Sequence, residues 1–358
     1  MSEKKENLEF QEKLFHWYQQ HQRKLPWRET QDPYKIWISE IMLQQTTVQT
    51  VIPYYKKWLK LFPDIQTLSC APLQKVLKAW EGLGYYQRAK NLHHASKIIM
   101  EKYQGTFPDT YPSLKSLPGF GPYTTAAVLS FAFNKSYPVI DGNIRRILMR
   151  LKDLRRTADS SVDKFLKPLL NTLFPTQQPS QFNQAFMELG ALICRPRNPS
   201  CLLCPIQKFC RAFESGTQEI IPKPKKLNLN KIETVLGIIY ENNRYLIQKR
   251  PSQGLMADLW EFPGGKIVQN ETLKQALHRE IKEEIGVEVK KERFLTRVTH
   301  SYTHFRVTLH AFQCELTGKF HLKPKIHKWV SLQQFQDYPF PSGSVKVIQY
   351  LKKKHGSL

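Results

Sequence analysis

Nowhere do the 358 residues contain an apolar run of the about 18 residues that a membrane-spanning helix needs. The opening MSEKKENLEF mixes acids with bases and has no apolar core, so it reads neither as a secretory signal nor as a transit peptide. No internal repeat and no low-complexity tract is present, which sets aside solenoids and tail-like chains. Cysteine is scarce: of six, four crowd into residues 194–210. Grouping of that kind without an export signal predicts metal ligation in a reducing compartment, hence a cytoplasmic protein, and not a disulfide framework. Acid is short too. Against 54 Lys+Arg stand 30 Asp+Glu, a net charge of +24. That surplus favours a polyanionic partner, because each neutralised phosphate releases condensed counterions.

What is present is a globular composition, 41% hydrophobic and 23% charged, in a chain long enough for two cores. Residues 8–210 read as helix after helix, punctuated by Pro and Gly. IPKPKKLNLNK (221–231) has little to bury and suits a connector. After it, 233–250 reads as two strands joined by an Asn-Asn turn, 271–286 as an amphipathic helix and 304–316 as a strand. The division expected is therefore a mostly α domain over 1–220, a connector over 221–232 and an α/β domain over 233–358.

Cys194, Cys201, Cys204 and Cys210 follow C-x6-C-x2-C-x5-C. Zinc prefers paired C-x2-C knuckles separated by a longer loop, whereas a 4Fe–4S cluster accepts four closely spaced thiolates on one winding loop. Both centres are chemically possible here. Arg195, Arg197, Lys208 and Arg211 flank the ligands, so the loop would also present cations. Cys70 and Cys314 stand alone and read as small core residues. This spacing, following a helical domain, resembles the iron–sulfur loop of the helix-hairpin-helix DNA glycosylases related to endonuclease III and MutY.

LPGFGPYTTAAVLSFAF (117–133) places Gly119 and Gly121 at a turn between helices, where glycine permits positive φ and close backbone approach to a phosphate. A plain helix connection would look the same; beside the cysteine loop, it resembles the family's hairpin. Glu40 and Gln44 lie in YKIWISEIMLQQTTVQTVI (34–52), inside an apolar stripe formed by Ile36, Trp37, Ile41, Val48, Val51 and Ile52. Burial would raise the Glu40 pKa and keep a proton available, unless a buried Arg pairs with it. Asp141 precedes a helix as an N-cap, and capping is expected to lower its pKa. One held proton and one persistent carboxylate are what glycoside cleavage needs.

SEIMLQQT and VIDGN resemble the catalytic segments of MutY-type adenine DNA glycosylases. The resemblance implies Glu40 as the acid acting on adenine N7, Asp141 as stabiliser of, or transient bond to, the sugar cation, and Asn143 beside it. Bifunctional members place a Lys where this chain has Tyr123; a phenol forms no imine, so base removal without strong strand cleavage is expected. The same resemblance nominates Leu25, Trp27, Arg28, Gln44 and Glu188 for the adenine pocket, and Gln45 and Tyr85 for insertion into the duplex beside an extruded base.

PGGKIVQNETLKQALHREIKEEIGV (263–287) fills every fixed position of the Nudix box, including Gly265, Glu271, Arg279 and Gly286. Glu280, Glu283 and Glu284 stand at i, i+3 and i+4, a set of hard oxygen ligands suited to Mg²⁺. MutY-type proteins carry a C-terminal domain similar to the hydrolase MutT, and HSYTHF (300–305) resembles its recognition loop, with Tyr302, Thr303 and His304. The implied architecture is an all-α helix-hairpin-helix glycosylase domain with a 4Fe–4S loop, plus an α/β Nudix-like domain that reads 8-oxoguanine. The implied partner is double-stranded DNA holding adenine opposite 8-oxoguanine or guanine, met by a monomer in the cytoplasm. Recognition without hydrolysis is favoured for the intact box. The rivals are an endonuclease III-like pyrimidine glycosylase and a nucleotide diphosphatase that only binds DNA through its helices.

Overall fold

The computed structural model describes residues 2–224, 229–302, 305–318 and 320–355. They fall into two compact units, Met1–Ser69 with His94–Lys226, and Cys70–His93 with Leu227–Leu358. Among the described residues no helix is long and apolar enough to cross a membrane.

The first unit is helical. Helix Pro33–Leu43 starts where the Asp32 carboxylate accepts from the backbone N–H groups of Tyr34 and Lys35, with Pro33 at the position where a missing N–H costs nothing. Its residues from Ile36 to Met42 are all buried. The apolar stripe of 34–52 does not run along one helix. The chain leaves helical geometry at Gln44, Gln45 takes a left-handed φ of 58°, and Thr47 caps a new helix, Val48–Leu61, by accepting from Thr50 N–H. The threonine pair competes with the helix for backbone hydrogen bonds, and the break turns Gln44 and Gln45 onto a loop.

The hairpin forms as expected between helices Tyr111–Lys115 and Pro122–Phe133. Gly119 needs its positive φ, 82°. Gly121 does not: it caps the second helix in extended geometry, φ −73°, and a Cβ there would meet nothing within 4 Å. Helix Gly142–Leu151 packs against helix Pro179–Leu192 so closely that a Cβ on Gly190 would lie 2.5 Å from that of Asn143. Helix Ser2–His21 closes the core through Phe10, whose ring meets Phe186 edge-on at 5.8 Å.

The second unit holds a sheet of six strands, β1 (Asn230–Glu241), β2 (Arg244–Lys249), β3 (Trp260–Glu261), β4 (Val289–Ser301), β5 (Phe305–Leu316) and β6 (His327–Val330). The order is β3-β2-β1-β5-β4, with β6 paired to β2; β1 and β5 run parallel, and the other pairs are antiparallel. Asn242 and Asn243 both take positive φ, the geometry a two-residue hairpin requires. Helix Leu273–Ile285 opens with a Thr272/Gln275 capping box and ends at left-handed Gly286. Its apolar side, Ala276, Leu277, Ile281 and Ile285, packs with Val235, Leu246 and Phe312.

Cys70–His93 joins this unit by specific bonds, a placement that an N-terminal position does not foretell. Lys78 Nζ donates to Tyr338 O at 2.9 Å, Phe340 N–H to Glu81 at 2.7 Å, and Trp260 Nε1 to Gln74 at 2.9 Å. Tyr86 is buried here and its hydroxyl donates to Phe340 O. Cys314 is buried, as expected; Cys70 is exposed, because the helix Ile65–Cys70 ends there and turns its last residue to solvent.

Candidate active site

A cavity of 810 Å³ opens in the first unit, and Leu25, Trp27, Arg28, Glu40, Gln44, Gln45, Tyr123, Asp141, Asn143 and Glu188 all line it. Residues from five separate stretches of sequence thus meet in one place.

Glu40 sits on the buried helix Pro33–Leu43 and is 4% exposed. Burial and the charge of Asp141 push its carboxyl up to about 7, against a hydrogen bond from Tyr123 and the charge of Arg28. The Tyr123 hydroxyl donates to Glu40 Oε2 at 2.8 Å. No arginine is bonded to Glu40 among the described contacts, so the paired-ion alternative does not describe it. Asp141 caps helix Gly142–Leu151, accepting from Ile144 N–H at 2.7 Å. Its pKa is nonetheless raised, contrary to expectation: burial outweighs the backbone donors of Ile144 and Asn143 and the charges of Arg146 and Arg145. The cap still lowers the Asp141 pKa, but the lost solvation is the larger effect. Asp141 lifts Glu40, whereas Glu40 is not among the main causes acting on Asp141.

Glu188 is fully buried on helix Pro179–Leu192. Burial pushes its carboxyl up, but Arg23 and Arg28 outweigh that and hold it at about 2. Arg23 donates from its backbone N–H (2.9 Å) and Nε (2.7 Å) to Oε1 and from Nη2 (2.8 Å) to Oε2; Arg28 Nη2 reaches Oε2 at 2.8 Å. Sequence reasoning missed Arg23. Its only signal is a second arginine just before KLPWR, and nothing local ties it to a glutamate 165 residues away. Trp27 is buried edge-on to Tyr55 at 5.5 Å. Gln44 Nε2 donates to Thr124 Oγ1 at 3.2 Å, and Asn143 Oδ1 accepts from Arg146 at 3.0 Å. Gln45 is exposed on the cavity rim. Tyr85, in the second unit, is 42% exposed with φ 47° and lies 5.8 Å from the Arg88 guanidinium.

The four cysteines follow helix Pro179–Leu192 on a winding loop, with Cys201 opening one short 3-10 turn and Cys210 capping helix Arg211–Glu214. Burial, together with neighbouring thiols, pushes Cys201 and Cys210 up and Cys204 to about 12. Among the described residues no three His, Cys, Asp or Glu gather tightly enough to hold a single metal ion. The donor chemistry fits a metal–sulfur cluster: four partly buried thiols feel one another's charge, and Arg150 donates to Cys194 Sγ at 3.2 Å. Arg150 also binds Arg195 O (2.8 Å) and Ile221 O (2.9 Å), fixing the loop's entry and exit.

In the Nudix box, Arg279 sits among acids, donating to Glu271 at 2.8 Å, Glu280 at 2.8 Å and Glu283 at 3.3 Å. Glu284 accepts from Gly264 N–H at 2.8 Å and Gln248 at 2.5 Å, and burial raises it to about 7. A Cβ on Gly265 would strike the Glu280 carboxylate at 2.1 Å. The three acids are thus near one loop, but each already has a partner. Tyr302 stacks on Phe305 at 4.6 Å; Thr303 and His304 lie outside the described residues.

Comparison with known proteins accounts for both units. Residues 38–171 match the model for the HhH-GPD superfamily of base excision DNA repair proteins, and 234–350 match the NUDIX domain. The adenine DNA glycosylase of Buchnera aphidicola (strain Bp) is 36% identical over 97% of each chain. The human adenine DNA glycosylase is 30% identical, over 95% of this chain and 73% of its own. A thermostable thymine-DNA glycosylase superposes at TM-score 0.53 with 31% identity, over 59% of this chain and 98% of its own. An endonuclease III–DNA complex shares the helical fold at TM-score 0.52 and 22% identity, over 61% of this chain and 99% of its own. Likeness along nearly the full length, with both domain types in order, means that this chain belongs to the MutY-type family of adenine DNA glycosylases, enzymes of base excision repair with a C-terminal Nudix domain.

Proposed function

We propose that this chain excises adenine from double-stranded DNA in which it is mispaired with 8-oxoguanine or guanine, acting as a monomer in the cytoplasm. The observation that carries the reading is the pairing of Glu40 and Asp141 on one cavity, with the Asp141 charge helping Glu40 keep its proton. Glu40 protonates adenine N7 as the N-glycosidic bond breaks and its electron pair goes to the departing base. The Asp141 carboxylate stabilises the sugar cation, or bonds to it transiently, until water adds at C1′ and loses a proton. Asn143 steadies that side of the cavity. Leu25, Trp27, Gln44 and Arg28 hold the base; Glu188, its oxygens filled by Arg23 and Arg28, acts by fixing Arg28 in place. Tyr123 cannot form an imine, so the strand is left uncut.

The remaining assignments divide along 1–220, the connector 221–232 and 233–358. Gly119 and Gly121 approach a phosphate, and Gln45 and Tyr85 enter the duplex. Tyr302, Thr303 and His304 belong to the loop that reads 8-oxoguanine. Cys194, Cys201, Cys204 and Cys210 would hold a 4Fe–4S cluster, which when bound cross-links the loop that carries Arg195, Arg197, Lys208 and Arg211. Glu280, Glu283 and Glu284 serve the fold of the C-terminal domain; a bound Mg²⁺ there would first have to displace Arg279 and Gln248.

The test is single-turnover adenine release from an adenine:8-oxoguanine duplex by wild type and Glu40→Gln. The variant should lose about 10²- to 10⁴-fold, the range for a general acid. A normal rate from the variant would remove the acid assignment.

A further inference from the structure

A second cavity, of 510 Å³, adjoins the first in the same unit and shares two of its lining residues, Phe131 and Gln184. That volume lies within the about 300–1,000 Å³ of small-ligand sites. Its wall is rich in carboxamides: Gln22, Gln31, Asn134, Gln178, Gln181 and Gln184. Tyr18, Phe131 and Phe133 supply rings. Among the described residues that line it, none is Lys, Arg, Asp or Glu, although the chain carries a net charge of +24.

Such a wall offers no charged side chain to pair with an ion; the first turn of helix Pro179–Leu192, at Gln178, Ser180 and Gln181, is its one set of aligned backbone donors. The wall suits a flat, neutral ligand with donors and acceptors around its edge. Carboxamides pair with the N6 and N7 edge of adenine, and aromatic rings cover its faces. Two residues of the wall, Asn134 (φ 49°) and Gln178 (φ 56°), hold left-handed backbone without being glycine. Asn134 does so as the cap that ends helix Pro122–Phe133 and Gln178 as the one that opens helix Pro179–Leu192, so two helix ends frame the cavity. Gln184, in the shared wall, is fixed by the Tyr18 hydroxyl at 2.9 Å and by its own bond to Ser180 Oγ at 3.2 Å.

We infer that this second cavity is a binding site for the free purine base, receiving adenine after its release in the neighbouring cavity. The inference rests on the glycosylase reading for the source of the adenine, but the cavity's chemistry stands apart from it. Photolabelling of the full iron-loaded chain with 8-azidoadenine, followed by peptide mapping, tests it. Peptides spanning 131–134 and 178–184 should be labelled, and adenine but not inorganic phosphate should compete. In the double variant Gln31→Leu/Gln181→Leu, that labelling should fall at least about tenfold, the effect of roughly 1.4 kcal/mol, while single-turnover adenine release is unchanged. Wild-type label confined to the first cavity, competition by phosphate as well, or undiminished label in the variant would each overturn the site. A wild type that labels as expected yet releases no adenine would instead remove the glycosylase reading and leave the purine site standing.

Discussion

The Tyr123 hydroxyl, at the start of the hairpin's second helix, donates to Glu40 Oε2 at 2.8 Å. The Tyr123 phenol thus tempers the proton affinity of Glu40, which burial raises.

Because that bond favours the charged carboxylate, Tyr123→Phe should raise the Glu40 pKa above its value of about 7. An acid catalyst works only while protonated, so wild-type excision should fall as pH rises through about 7 and the variant should hold its rate to higher pH. On the acid side the rate should fall as Asp141 takes up a proton, at a pH above that of an ordinary aspartate because burial has raised it. Single-turnover rates across pH for both proteins check this; an alkaline limb that stays put in the variant would contradict it.

Arg23→Ala should destabilise the helical unit by about 2 kcal/mol, read from urea unfolding. The figure is set below that for a fully buried pair because the Arg23 side chain is 37% exposed and Arg28 still holds Glu188. Glu188 is held at about 2 when folded, against an ordinary value of 4.5. Its contribution, on the order of 3 kcal/mol, is therefore present above about 4.5 and disappears as pH falls toward 2. Wild type should lose this stability in acid; Glu188→Gln should start lower and lack that part of the acid slope.

Cys204→Ser should remove the visible absorbance of a bound cluster and most of the iron, measured on freshly purified chain. Loss of duplex affinity with little loss of helical structure should accompany it, since the loop carries cations but sits outside the cavity. Stoichiometric zinc with no iron in wild type would replace the cluster with a zinc knuckle.

The complete Nudix box should not hydrolyse 8-oxo-dGTP with Mg²⁺ at an appreciable rate, because Arg279, Gln248 and Gly264 already occupy its carboxylates. Arg279→Ala should instead lower the melting temperature of the second unit by freeing Glu271, Glu280 and Glu283 from their common partner. Robust hydrolysis abolished by Glu283→Gln would reverse this view.

Much of the architecture is written in short segments. The cysteine spacing, the two glycines before Pro122, the Asn-Asn turn and the capped helix that ends at Gly286 are each specified by neighbours within a few residues, where local backbone chemistry dominates. The same locality misleads where a stripe continues across a break: the apolar residues of 34–52 keep their spacing, yet Thr47 starts a new helix. It also misplaces Cys70, which follows an apolar segment but ends exposed.

The sequence by itself determined which side chains are candidates for the chemistry, because their types and spacing are local facts. Only the tertiary structure decided how those groups are charged. Glu40 meets Tyr123 across 83 residues, and Glu188 meets Arg23 across 165. Asp141 is raised where its cap alone would lower it. Proton affinity depends on how much water has been removed and which distant charges replace it, and neither quantity exists until the chain has folded.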